Sequence, residues 1–199
     1  MSSTAPIDPQ TAVATALGSA EMGPPAATLE RPPGSLRICL TTTLDAPAGW
    51  VARELQTTAL FRHITAPLLR FGTVHGPWPA HWPMGDTELR FALFGLLPMG
   101  RQTARISVHA NEIPGAWPML RDNGTGQLMR VWDHRITVHS LPGAPGTPER
   151  TCYTDEVFVR ARYLPWLMTP VSAAFAWVFY RHRQRRWVRW AREHSAASA

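Results

Sequence analysis

Apolar and polar residues alternate along several short stretches of this chain, and a period of two is typical of half-buried β-strands. The first stretch runs from Leu36 to Leu44. The same alternation recurs over residues 87–93, 104–108, 119–122, 127–140 and 151–162. Consecutive strands of this kind predict an antiparallel sheet of about six to seven strands.

Helical spacing follows the first strand and returns near the C-terminus. Asp45 to Pro47 form a start signal for a short helix, and a second short helix is expected around residues 58–65. A long helix is predicted to begin at Thr169 and Pro170, or one turn earlier at Pro165. The element order therefore predicts a two-layer α+β domain.

The long C-terminal helix has two unlike halves. At about 100° per residue, one continuous stripe is expected to face the sheet. The stripe consists of Ala173, Ala176, Trp177, Tyr180, Gln184, Trp187, Val188 and Ala191. Its opposite side is arginine-rich from Arg181 to Arg192, which is typical of a solvated helix end. In the first half the opposite side is apolar too, so a loop, a second subunit, a membrane or a ligand must cover it.

Composition sets the domain limits. The chain has 199 residues and is 45% apolar, enough for one core. Residues 1–34 are rich in Ala, Pro, Ser, Thr and Gly, and they predict a disordered N-terminal extension. The folded domain is expected at residues 35–194, followed by a disordered tail at 195–199.

Charge and leader signals limit the location and the partners. No basic and apolar leader precedes the domain, which favours a cytoplasmic protein. The apolar run at 164–180 is at the lower length limit for a membrane-spanning helix, so any membrane contact is expected to be peripheral. The net charge of +6 allows an anionic partner, but no nucleic-acid reader motif accompanies it.

Catalytic and metal-binding motifs are few. Cys39 and Cys152 lack any paired spacing and are interpreted as buried apolar residues of a reducing compartment; no metal or cofactor is expected. His134 and Asp155 alternate onto otherwise apolar strand faces. They form either a carboxylate and imidazole that bind or activate a ligand, or a buried hydrogen-bonded pair that fixes strand register.

Five segments together carry a resemblance to a known superfamily. They are Thr42–Pro47, Leu93–Gly100, Trp132–Ile136, Tyr153–Val157 and Phe179–Arg183. The pattern resembles the START-like, helix-grip superfamily called SRPBCC, which includes polyketide cyclase-type and lipid-transfer domains. The resemblance covers roughly residues 36–193. It implies a curved sheet that grips the C-terminal helix, with an apolar cavity between them, and it implies no fixed catalytic set.

The resemblance leads to a functional hypothesis: a non-catalytic carrier or sensor of a small hydrophobic or lipid-like molecule. The expected ligand-binding residues are Ile38, Leu40, Thr42, Phe91, Ile106, Trp132, His134, Asp155, Val157, Ala173, Ala176 and Trp177. A cyclase, dehydratase or hydrolase that uses His134 and Asp155 is the alternative. A third hypothesis is a membrane-associating or homodimerising module. Its contact surface would consist of Phe94, Leu96, Leu97, Leu164, Leu167, Val171 and Phe175.

Overall fold

The computed structural model describes residues 22–113, 115–144 and 146–195. Its elements are β1 (Leu36–Leu44), α1 (Ala48–Glu54), α2 (Thr58–Thr65), β2 (Leu69–Thr73), β3 (Gly85–Leu93), β4 (Leu97–His109), β5 (Met119–Asp122), β6 (Thr125–Gly126), β7 (Met129–Leu141), β8 (Arg150–Ala161) and α3 (Pro165–His194). The predicted order of one strand, two short helices, further strands and one long helix is confirmed.

The strands form one curved, open antiparallel sheet in the order β1-β8-β7-β5-β4-β3-β2, and β6 pairs with β4. This is the helix-grip architecture that the sequence resemblance implies. The turn between β3 and β4 is tight, because Phe94 and Gly95 both adopt positive φ angles, of 53° and 74°. The apolar segment Leu93–Gly100 therefore contains only a short turn, and its second half already belongs to β4.

The long helix packs on one side of the sheet, against β1, β8 and α2. Trp187, only 1% exposed, anchors its second half. The Trp187 ring lies 5.7 Å from that of Trp50 and 6.3 Å, edge-on, from that of Tyr153. Its first half packs through Ala176 and Phe179 on the inner residues of β8.

The helix is rotated slightly from the predicted orientation. Ala176, Tyr180 and Trp187 face the sheet as expected, but Trp177 is 47% exposed, and stacks against the guanidinium of Arg181 at 4.9 Å. Arg183 takes a buried position instead. Successive helical residues differ by about 100°, so a stripe centred on residues 176, 180, 183 and 187 turns residue 177 outward. The prediction that Trp177 faces the sheet is wrong.

Residues 22–35, which the sequence analysis assigned almost entirely to a disordered extension, lie across the outer face of the sheet. The backbone N–H of Gly23 donates to the carbonyl of Val108 at 2.8 Å. The guanidinium of Arg135 donates to the carbonyls of Leu29 and Glu30 at 3.1 and 2.7 Å. The rest of the expected extension, residues 1–21, lies outside the described residues, as does most of the expected tail.

This N-terminal segment explains a buried polar cluster on the outer face. The carboxylate of Asp133 accepts paired hydrogen bonds from Arg121, at 2.7 and 2.9 Å, and another from Arg135 at 2.9 Å. The charges are buried because the extension covers them, and they are paired as buried charges must be.

Cys39 also lies on an outer face and is exposed, so its predicted burial is wrong.

Replacing Trp187 by Ala should lower the free energy of unfolding by about 3–5 kcal/mol, because it removes a large side chain that the core encloses. Trp166, on the same helix, is 75% exposed, and its replacement by Ala should change stability by less than about 0.5 kcal/mol. Urea denaturation of both variants measures the difference. Equal effects would contradict the assigned helix orientation.

Candidate functional site

An apolar cavity of about 500 Å³ lies between the inner face of the sheet and the helices α2 and α3. It exists because α3 packs over β1 and β8, whereas the inner side chains of β3 and β4 lie beyond it. Its volume falls within the range of small-molecule sites, roughly 300–1,000 Å³.

The cavity has a closed end and an open end. Buried side chains from α2, β3 and β4 form the closed end, including Leu60, Leu89 and Ile106. At the other end the lining residues are themselves exposed. These are Leu128, Tyr163, Val171 and Phe175. The mouth therefore lies where β7 begins, where β8 ends and where α3 starts.

The surface around the mouth is also apolar. We call it the apolar rim, and it consists of Phe94, Leu96, Leu97, Leu164, Trp166, Leu167 and Val171, all exposed. Leu93 and Met99, which flank the β3–β4 turn, line the cavity from one side, and Val171 lines it from the other. The two parts of the rim thus border one opening.

The predicted pair of His134 and Asp155 is brought together in the structure. The register places His134 opposite Val157 and Ile136 opposite Asp155, so the two side chains meet diagonally on the inner face. The Nε2 of His134 lies 2.7 Å from the Oδ1 of Asp155. His134 lines the cavity, whereas Asp155 lies behind it.

Asp155 is held by two further donors. The hydroxyl of Tyr153 donates to Oδ1 at 2.7 Å, and the side-chain amide of Gln184 donates to Oδ2 at 3.0 Å. Burial raises the pKa of Asp155, but the hydrogen bond from His134 leads the effects that take the pKa below its usual value. Burial also lowers the pKa of His134, so its imidazole is neutral near pH 7. The arrangement favours a fixed His134 tautomer that donates to Asp155.

Two more ionisable groups reach the cavity wall. Asp122, at the end of β5, accepts backbone hydrogen bonds from Arg105 at 2.9 Å and Gly124 at 3.2 Å. Burial outweighs these donors and raises the pKa of Asp122 to about 6. The second group is Arg183 of α3, which forms no ion pair within the part of the chain that the structure describes. In the same described ranges, no three His, Cys, Asp or Glu side chains cluster in a way that could hold a metal ion.

The structure places four of the predicted ligand-binding residues in the cavity wall: Phe91, Ile106, Trp132 and His134. The other eight do not line it. These are Ile38, Leu40, Thr42, Asp155, Val157, Ala173, Ala176 and Trp177. All eight lie on β1, β8 or α3, where the helix packs directly on the sheet, so the cavity is displaced towards β3 and β4.

Sequence reasoning missed Arg183 and Asp122. Arg183 stands within a run of arginines that is typical of a solvated face, and Asp122 precedes an Asn-Gly turn where acidic residues are common. Only the rotation of α3 and the strand pairing bring either side chain inward. The seven residues expected to form a contact surface are all exposed, and six of them belong to the apolar rim, which borders the mouth together with Phe175.

No protein-family model matches the chain, and no curated protein matches it. The solved structures to which the chain is similar include the following three. A protein from Chromobacterium violaceum has a TM-score of 0.49 and 14% identity, over 78% of this chain and 96% of that one. A START superfamily protein from Mycobacterium smegmatis has a TM-score of 0.49 and 9% identity, over 79% and 97%. A conserved protein from Geobacillus kaustophilus has a TM-score of 0.49 and 12% identity, over 79% and 96%.

The raised pKa of Asp122 predicts a distinctive dependence of stability on pH. The folded protein holds this proton to about pH 6, whereas the ordinary pKa is 3.8. The unfolded chain thus loses the proton first, and the free energy of unfolding should fall as pH rises from about 4 to about 6. Asp122→Asn keeps an acceptor oxygen and cannot ionise, so this fall should shrink in the variant.

Urea denaturation at several pH values measures the effect. Asp86→Asn serves as the control, because a hydrogen bond from Arg105 lowers the pKa of Asp86. The contribution of Asp86 to stability is therefore lost as pH falls, which is the opposite sign. Parallel pH profiles for wild type and Asp122→Asn would contradict the assignment.

Proposed function

We propose that this protein binds a small apolar molecule in the cavity between its sheet and α3, and so carries or senses that molecule. The observation that supports the proposal best is the cavity itself: about 500 Å³, lined chiefly by aliphatic and aromatic side chains and open at one end. Such a site gains affinity from burial of apolar area, roughly 25 cal/mol per Å². A few polar groups then fix the orientation of the ligand.

The polar groups at the wall support binding more than turnover. Both oxygens of Asp155 are occupied by hydrogen bonds from His134, Tyr153 and Gln184. A carboxylate tied to three neutral donors at the centre of the core has a structural role of the kind that specifies register. His134 remains available at the wall to orient one polar atom of a ligand.

A neutral apolar dye tests the binding proposal without knowledge of the natural ligand. The fluorescence of 1-N-phenylnaphthylamine should rise on addition of the protein and saturate at one dye per chain. Ser172→Trp should weaken binding at least about tenfold, because Ser172 lines the cavity on α3 and a Trp side chain there would fill it. Ala174→Trp is the matched control, since Ala174 faces solvent on the same helix.

The proposal would be overturned if the dye failed to bind, or if it bound wild type and Ser172→Trp with equal affinity. Native mass spectrometry after gentle purification, followed by organic extraction, then identifies any molecule that accompanies the protein.

A second function is supported by the apolar rim: contact with an anionic membrane surface, through which an apolar ligand would enter or leave. The chain has no Asp or Glu between Glu88 and Glu112, nor between Glu156 and Glu193, and these stretches carry the rim. Apolar side chains flanked only by basic ones suit the interface of an anionic bilayer. In the residues that the structure describes, no helix is long and apolar enough to cross a bilayer.

Flotation with vesicles of phosphatidylcholine and phosphatidylglycerol tests the membrane proposal. Wild type should float with the vesicles, and the double variant Leu96→Glu with Trp166→Glu should remain at the bottom, because each Glu places a charge in the rim. Ile113→Glu is the control, since Ile113 is exposed in the β4–β5 loop, at the other end of β4 from the rim. A wild-type protein that stays at the bottom and elutes as a dimer would assign the rim to a subunit interface instead.

A further inference from the structure

Arg183 is an unusual residue for the interior of an apolar site. It is 6% exposed and lines the cavity from α3. Its Nε has no hydrogen-bond partner among the described residues, and no carboxylate lies within ion-pair distance of its guanidinium in that part of the chain. A buried charge is normally paired, because desolvation without compensation is costly.

The neighbours of Arg183 do not supply that pairing. The rings of Tyr180 and Phe179 lie 4.8 and 5.8 Å from the guanidinium carbon, and such ring contacts stabilise a cation only weakly. Tyr180 also shares a side-chain hydrogen bond with Arg183, but it is a neutral partner and does not balance the charge. Asp155 is near enough to act through its charge, but its oxygens are already taken by neutral donors. Asp122 also acts on Arg183 only through its charge, and it accepts two backbone N–H groups, both at Oδ1. The guanidinium remains charged, its Nε has no partner among the described residues, and the side chain lines the cavity.

We propose that Arg183 recognises a carboxylate at one end of the apolar ligand, so that the ligand class is a long-chain carboxylic acid. This inference rests on the proposed function and adds the chemistry of the ligand's polar end. A guanidinium presents a planar fork that matches a carboxylate through charge-assisted hydrogen bonds. One unpaired cation suits a ligand with one negative charge.

The position of Arg183 also sets the direction of the ligand. Val171 lies at the mouth, and at about 1.5 Å per residue Arg183 stands roughly 18 Å further along the helix axis. The lining residues of α3 between these two positions are Ser172, Phe175, Phe179 and Tyr180. The carboxylate therefore lies deep in the cavity, and the apolar chain extends back towards the mouth.

Competition against the neutral dye tests this inference. Tetradecanoic acid and 1-tetradecanol share one chain length and differ at the polar end. At about pH 8, where the acid is ionised, wild type should bind the acid at least about tenfold more tightly than the alcohol. Arg183→Met should remove this preference and keep the affinity for the alcohol, whereas Arg185→Met, on the exposed side of the same helix, should preserve it.

The outcomes separate the two proposals. If the dye binds but acid and alcohol compete equally, or neither competes, the carboxylate inference is overturned and the apolar site stands. If Arg183→Met retains the full preference for the acid, another group recognises it and the inference is also overturned. The acid-against-alcohol comparison in wild type needs no variant, so it decides the matter even where Arg183→Met fails to fold. A dye that does not bind overturns the proposed function itself.

Discussion

One long helix is narrower than the sheet on which it packs, and this difference in width determines most of the structure. The helix α3 covers β1 and β8, and its anchor Trp187 fixes it there against Trp50 and Tyr153. The inner face of β3 and β4 then lies beyond α3. An aliphatic surface without a packing partner stays exposed to water and lacks dispersion contacts. That half of the sheet is therefore stable only if something apolar encloses it. The helix α2 and the aromatic loop before β3 enclose part of the space, and the remainder is the cavity.

The two faces of the sheet stabilise their buried carboxylates with different kinds of partner. On the outer face, Asp133 pairs with two arginines, and the N-terminal segment covers the cluster through the carbonyls of Leu29 and Glu30. On the inner face, Asp155 collects neutral donors. Both carboxylates have lowered pKa values because hydrogen bonds stabilise their charged forms more than burial destabilises them. Each cluster also fixes strand register, since a one-residue slip would move these groups to the wrong face.

The architecture could be predicted because it depends on local periodicity, whereas the site depends on geometry that periodicity leaves open. Alternation in β7 and β8 was enough to place His134 and Asp155 on one face, and the pairing followed. It could not locate the cavity, because that location depends on which strands α3 covers. A slight rotation of the helix exchanged Trp177 for Arg183 at the buried surface, while Ala176, Tyr180 and Trp187 kept their predicted side. The packed segment at residues 22–35 was also missed, since its Pro-rich composition carries no periodic signal and its partners lie far along the chain.

If Arg183 binds the carboxylate of a ligand as proposed, it links stability to ligand occupancy. A charge that is buried without a partner destabilises the empty protein, and evolution could remove this cost with an apolar side chain of similar volume. Under the proposal, the carboxylate of the ligand supplies the missing anion at the wall of the apolar cavity and offsets this cost. Binding only to the folded state stabilises it in proportion to the logarithm of ligand concentration over Kd. The same interaction that selects the ligand would thus make the occupied protein more stable than the empty one.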